Sequence, residues 1–240
     1  MLNNIDIENI LFIDIETVSM TRNYNDLPER LKPLWDKKTE MLIKNERISE
    51  ETKSPEQVFS RSGIYAEFGK IVCISTGFVR NGTLRIKSFY GKDEKMLLFD
   101  FTYLLNKSAG KTIQFLCAHN GKEFDYPYLI RRMLINDIAV PSILDLTGKK
   151  PWEVNHFDTM ELWKFGDYKS YTSLELLAAV FNIPSPKDDI QGSDVSRVYW
   201  EEDDLPRIVT YCQKDVVTIV NLFLRFQRKP ILQENQITYV

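Results

Sequence analysis

The chain has 240 residues, 43% hydrophobic and 12% aromatic, which suits one large α/β domain with a packed core. Its formal charge of −3 excludes the broad basic surface of a protein that coats duplex nucleic acid, while an enzyme that grips phosphates through metal ions needs no such surface. Cys73, Cys117 and Cys212 are odd in number, far apart and set in apolar stretches, which favours buried thiols in a reducing compartment over disulfides or a zinc site.

The first element is the run Ile10-Leu11-Phe12-Ile13-Asp14-Ile15-Glu16-Thr17, which begins as an unbroken apolar stretch like a central strand buried on both faces. Side chains alternate along a strand, so Asp14 and Glu16 share a face near its C-terminal end. Two like charges about 4 Å apart repel by roughly 4 kcal/mol at an effective dielectric near 20. Either the strand has reached solvent there or a counter-charge is held, and a divalent cation with oxygen ligands would serve. Residues 19–68 are polar, with helical spacing in pieces, which predicts short helices with a solvated face covering one end of a sheet. Strands over Lys70–Val79 and Leu84–Tyr90 flank Asn81-Gly82, the signal of a tight hairpin.

Asp93 caps a predicted helix to Asn106, and Ile113–Ala118 is the next strand. The turn His119-Asn120-Gly121-Lys122-Glu123 precedes a helix over Phe124–Asn136, with Pro127 in its first turn. A short strand at His156–Met160, an amphipathic helix at Ser173–Phe181 and a loop over 185–196 follow. The longest helix starts at Asp203 or Asp204 and runs to Arg228. This order predicts a single α/β domain over 1–240, with a mixed five-stranded sheet flanked by helices on both faces.

In open α/β sheets, ligands bind beyond the carboxyl ends of the central strands. Asp14 and Glu16 belong there, as does Asp125 at the start of the helix after the Ile113–Ala118 strand. Tyr211 and Asp215 are four residues apart and share a helix face. Taken singly, Asp125 also suits a first-turn acid favoured by the helix dipole, and Asp215 a surface acid beside a half-buried tyrosine. Taken together, Asp14-Ile15-Glu16, Asn120-Gly121-Lys122-Glu123-Phe124-Asp125 and Tyr211-Cys212-Gln213-Lys214-Asp215 have the order, spacing and context of the three motifs of DEDD 3′–5′ exonucleases. The chain resembles the tyrosine branch of that superfamily, in particular the proofreading domain of family B DNA polymerases and its predicted stand-alone bacterial relatives. The resemblance spans roughly Ile10 to Phe226, and the long segment 19–68 departs from it, which leaves substrate preference rather than chemistry open.

The resemblance implies a ribonuclease H-like fold and hydrolysis of phosphodiesters at the 3′ end of nucleic acid, single-stranded DNA first, by a two-metal-ion mechanism with Mg²⁺ or Mn²⁺. It implies that Asp14 bridges the ions, Glu16 and Asp215 complete the site of the attacking water, Asp125 holds the second ion, and Tyr211 orients the water. Thr17, Asn120 and Phe124 are implied contacts to the terminal nucleotides, although Phe124 reads equally well as core. His119 and His156 are expected to be structural, because Tyr211 stands where the sister branch has a histidine. Arg131, Arg132, Lys149 and Lys150 could follow a nucleic-acid backbone or simply be solvated. An RNA-trimming exoribonuclease with the same metal site and a catalytically silent binding protein on this fold are the competing readings; the intact set of acids and tyrosine argues against the second. No apolar run approaches membrane-spanning length, and the first residues lack a basic-then-apolar leader pattern, so the expected location is cytoplasmic.

Overall fold

Ile10–Ser19 (β1) is the strand about which the sheet is ordered. The structure is a computed structural model that describes residues 2–45, 54–110, 112–167, 171–184 and 189–240; residues 46–53 of the predicted helical segment and 185–188 of the predicted loop lie outside the described residues. After β1 come α1 (Lys32–Lys44), α2 (Pro55–Val58), β2 (Gly69–Arg80), β3 (Thr83–Tyr90), α3 (Glu94–Ser108), β4 (Phe115–Ala118) and α4 (Asp125–Ile135). The rest of the chain forms β5 (Phe157–Asp158), α5 (Thr159–Lys164), α6 (Leu174–Val180), α7 (Val195–Trp200), α8 (Leu205–Phe226) and β6 (Ile237–Tyr239). The sheet is mixed, in the order β5-β4-β1-β2-β3-β6, with β1 antiparallel to β2 and parallel to β4.

Among the described residues the sheet therefore has six strands, not five. The addition is β6, which pairs parallel to β3 from Leu84↔Ile237 to Ile86↔Tyr239. Three half-buried or exposed residues carry no readable alternation, so the strand exists only because β3 offers it an edge. The predicted strand at His156–Met160 shrinks to two residues, because the Asp158 carboxylate accepts N–H bonds from Met160 and Glu161 and so starts α5.

Alternation along β1 divides the core. Leu11, Ile13 and Ile15 pack with Leu98 and Phe101 of α3 and Leu129 and Met133 of α4. Ile10 and Phe12 pack on Val216, Ile219, Val220 and Phe223 of α8, with the Phe12 and Phe223 rings edge to face at 5.7 Å. Each such side chain, fully buried, stabilises the fold by about 1.5–3 kcal/mol. Asp14 and Glu16 have the parity of Phe12, so the same periodicity that builds the core aims both carboxylates at α8.

The described part of the 19–68 segment forms short helices, as predicted, but is more than a solvated cover. Leu27, Trp35, Leu42, Val58, Phe59 and Phe68 make a core of its own, in which the fully buried Trp35 meets the rings of Phe59, Tyr65 and Phe68 and donates Nε1–H to the Pro55 carbonyl at 2.9 Å. It is fastened to the end of β1. A Cβ on Gly63 would lie 2.8 Å from the Val18 carbonyl carbon, so backbone rests on backbone there, and Tyr128 of α4 donates its hydroxyl to the Gly63 carbonyl at 2.7 Å.

Arg132 is not available to a nucleic-acid backbone. It is buried, its Nε and Nη2 bond Glu94 Oε1 and Oε2 at 2.9 and 2.5 Å, and its Nη1 donates to the Ala66 carbonyl at 2.8 Å. Arg131, Lys149 and Lys150 are exposed. All three cysteines are buried and free.

Candidate active site

The pairing of β1 with β2 slips between Glu16 and Thr17, which lie opposite Cys73 and Ile71, so Val72 is an extra residue on β2. Such a bulge bends and twists the strand end. Just before it, oxygens of Asp14 and Glu16 and the Cys212 sulfur all lie within 4.8 Å of one another. Cys212 donates its thiol to the Asp14 carbonyl at 3.4 Å and, with Cys73, belongs to a buried apolar cluster as a small apolar side chain. Sequence reading gave Cys212 no place in the site, although it sits between Tyr211 and Asp215 on the face of α8 that meets β1.

Asp125 arrives from the other side of β1. The β1–β4 ladder stops at Phe12↔Cys117, which leaves the Ile15 N–H without a strand partner, and the Asp125 carboxylate accepts it together with its own N–H. Tyr211 and Asp215 project from α8, with the phenol in hydrogen-bonding reach of the Asp215 carboxylate. Glu16, Asp125, Tyr211 and Asp215 are all buried; Asp14 is half-buried as a residue, but its Oδ2 is fully enclosed.

These groups feel one another. Burial, then Asp215 and Asp125, hold the Asp14 carboxyl well above the usual carboxylate range, and burial, then Asp14 and Asp215, do the same to Glu16. Burial and then Asp158 push Asp125 up to about 8. The Tyr211 phenol is raised far above its ordinary value by burial first, then by Asp215, Glu16 and Asp14. The donors fit a hard divalent cation: the carboxylates supply oxygens, and Asp14 Oδ2 is buried with no hydrogen-bond partner among the described residues.

A raised carboxylate has a stability consequence with a definite sign. The Asp125 carboxyl titrates near 8 when folded but at about 3.9 in an unfolded chain, so between those values the folded state binds a proton that the unfolded state does not. Its contribution is full below about pH 4 and is lost as pH rises toward 8. Thermal melts in EDTA are therefore expected to show a falling midpoint from pH 5 to pH 8, and Mg²⁺ is expected to flatten that fall. A midpoint in EDTA that climbs over this range would contradict the raised carboxylates.

The turn before Asp125 is built on Asp158, which sequence reading also missed. Its carboxylate accepts the N–H groups of Asn120 at 3.0 Å, Lys122 at 3.1 Å, Met160 at 3.0 Å and Glu161 at 3.2 Å. Asn120 adopts φ +63°, and a Cβ on Gly121 would come within 2.4 Å of the Ala118 Cβ, so the turn has little freedom. Asp158→Asn would turn an N–H₂ group toward one of these donors. A loss of roughly 1–3 kcal/mol is expected, seen as a lower melting midpoint; a midpoint equal to wild type would show that the turn holds without it.

Thr17 and Phe124 line a cleft of about 1060 Å³ that opens at Glu16; Asn120, like Asp14, Asp125, Tyr211 and Asp215, is not among its walls. Phe124 is half-buried against Tyr128, ring centroids 5.4 Å apart, so it is partly core and partly cleft wall. The histidines are committed to structure. His156 accepts the Leu116 N–H at Nδ1 and donates Nε2–H to the Ile143 carbonyl at 2.7 Å, and His119 lies between the Thr159 hydroxyl and the Thr172 carbonyl. Burial lowers the pKa of both.

Residues 64–236 match a family described as "Predicted 3'-5' exonuclease related to the exonuclease domain of PolB". The matched region contains Asp125, Tyr211 and Asp215; Asp14 and Glu16 precede it. No curated protein matches the sequence. Among solved structures, the family B DNA polymerase from the hyperthermophilic archaeon Pyrobaculum calidifontis is similar with a TM-score of 0.51 and 14% identity. The match covers 90% of this chain and 24% of the polymerase, so the chain spans about a quarter of that protein and shares its ribonuclease H-like fold over that part.

Proposed function

Because the chain belongs to the family of predicted 3′–5′ exonucleases related to the exonuclease domain of PolB, we propose that it hydrolyses the last phosphodiester at the 3′ end of single-stranded DNA by a two-metal-ion mechanism. The observation that carries this reading is the meeting of Asp14, Glu16, Asp125 and Asp215, with Tyr211 beside Asp215, Glu16 and Asp14; burial and mutual repulsion hold the Asp14, Glu16 and Asp125 carboxyls high, and a bound cation would relieve them. Asp14, Glu16 and Asp215 would hold one ion, and Asp14 with Asp125 the other. When bound, Mg²⁺ or Mn²⁺ supplies Lewis-acid stabilisation of the attacking and leaving oxygens and lowers the pKa of a water.

The chain's own residues supply the rest. Tyr211, kept protonated by its surroundings and within reach of Asp215, would turn its one O–H from that carboxylate to the attacking water and fix the water in line. Thr17 and Phe124, at the cleft mouth, hold the terminal nucleotide, the Phe124 ring offering a face to its base. Water adds across the P–O3′ bond, so each turnover releases a 5′-mononucleotide and leaves a strand with a new 3′ hydroxyl.

The test is digestion of 5′-labelled single-stranded DNA, with matched RNA alongside to read the sugar preference. A ladder that shortens from the 3′ end in Mg²⁺ and stops in excess EDTA is expected. Cleavage that persists in the chelator, or release of the label as a first product, would overturn the reading.

A further inference from the structure

The cleft at Glu16 is larger than the terminal nucleotide requires. Its volume of about 1060 Å³ exceeds the roughly 300–1,000 Å³ of small-ligand pockets. Its two walls also differ in charge. One is the 19–68 segment, from which Arg22 and Arg61 line the cleft and no acid does; both are exposed, and neither has an ion-pair partner among the described residues. The other is α7 and the turn before it, where Asp194 and Glu201 face the cleft and Arg197 is already tied to Asp194 and Glu202. Among the described residues that line it, a polyanion entering this space meets unpaired cations on the 19–68 side only.

The insertion is also rigidly placed for such a role. It carries its own aromatic core, rests on the backbone of Val18 and is bonded through Gly63 to Tyr128, so Arg22 and Arg61 are carried by a body fixed to the strand that ends in Asp14 and Glu16. We propose that the described part of the 19–68 segment, through Arg22 and Arg61, is the strand-holding wall of the site. Arg22 and Arg61 bind backbone phosphates of the nucleotides 5′ to the scissile bond, which makes the chain act on oligonucleotides of several residues rather than on the shortest ones. This rests on the exonuclease reading above. The guanidinium contacts go to phosphate, so they fix the strand's register and carry no base preference.

The test measures binding apart from turnover. Anisotropy of 5′-fluorescein-labelled oligothymidylates of 3 to 12 nucleotides is followed with the full chain in Ca²⁺ at several salt concentrations. For wild type, affinity is expected to rise with length. For Arg22→Ala/Arg61→Ala, the 12-mer is expected to bind on the order of tenfold or more weakly. The slope of log affinity against log salt should then flatten by about 1.4, at ~0.7 per phosphate contact in a single strand. Arg22→Lys/Arg61→Lys should keep the slope, and thermal melts of both variants check that they are folded. An alanine variant with wild-type slope and affinity overturns the proposal, as does wild type that binds no oligonucleotide. If 3′-end hydrolysis is found while the slope is unmoved, the exonuclease reading stands and the insertion proposal falls. If arginine-dependent binding is found without hydrolysis, the reverse holds.

Discussion

Asp14→Asn is expected to abolish 3′-end hydrolysis and yet, in EDTA, to melt no lower than wild type. Asp14 stands within 4.8 Å of Glu16, feels Asp215 and Asp125, and keeps Oδ2 enclosed without a hydrogen-bond donor among the described residues. In the metal-free protein that arrangement opposes folding. Two carboxylates about 4 Å apart repel by roughly 4 kcal/mol at a dielectric near 20, unless one takes up a proton. Asparagine keeps the shape, removes the charge and relieves Glu16. Metal reverses the comparison. A ligand bound only by the native state stabilises it by about 2.7 kcal/mol at a hundredfold excess over Kd, or very roughly 5–10 °C in melting midpoint at about 2–4 °C per kcal/mol for a chain of this size. Wild type should therefore gain clearly more from Mg²⁺ than the variant. Melts of both proteins in EDTA and in Mg²⁺, beside the nuclease assay, make the comparison. A variant that melts well below wild type in EDTA would make Asp14 a structural hydrogen-bonding residue and remove the reason for a metal there.

The parts of this molecule legible in its sequence are those fixed by local periodicity. The run from Ile10 to Thr17 announces a buried strand whose parity places Asp14 with Glu16, and Asn81-Gly82 adopts the positive φ values, 50° and 72°, that its tight turn requires. Asp93, Ser173 and Asp204 cap the helices that begin after them. What was hidden depends on partners far away in the chain. Strand β6 exists through an edge that lies some 150 residues earlier, at Leu84–Ile86. Arg132 is buried because Glu94, on another helix, meets it, although its place on the stripe with Tyr128, Leu129 and Met133 was a usable sign that it faces inward. Asp158 had a weaker signal, an acid just before a helical stretch, and its hold on the 119–123 turn arises only once β4 and β5 are adjacent. In the candidate site, the carboxylates and Tyr211 meet as their spacing suggested. Asn120 lies in the turn before Asp125, where the Asp158 carboxylate holds its N–H.

Tyr211→Phe is expected to lower turnover by roughly 10²-fold, the low end of what a positioned proton-handling group contributes, which is about 2.7 kcal/mol of barrier. The reasoning begins from its surroundings. Burial and the neighbouring Asp215, Glu16 and Asp14 all make the phenolate less accessible, so the hydroxyl stays a donor across the working pH range and cannot take the proton of the attacking water. Its contribution is then orientation, and orientation is lost when the oxygen is removed while the ring keeps its packing among Val209, Cys212 and Ile190. Because the phenol acts on the water and not on the strand, KM should change little while kcat falls. The shape of the pH–rate profile separates this role from general base catalysis: the phenylalanine variant should run parallel to wild type at every pH, only lower. Loss of a limb of the profile would mean that Tyr211 does titrate in the reaction, and wild-type turnover in the variant would reduce it to a packing residue of α8.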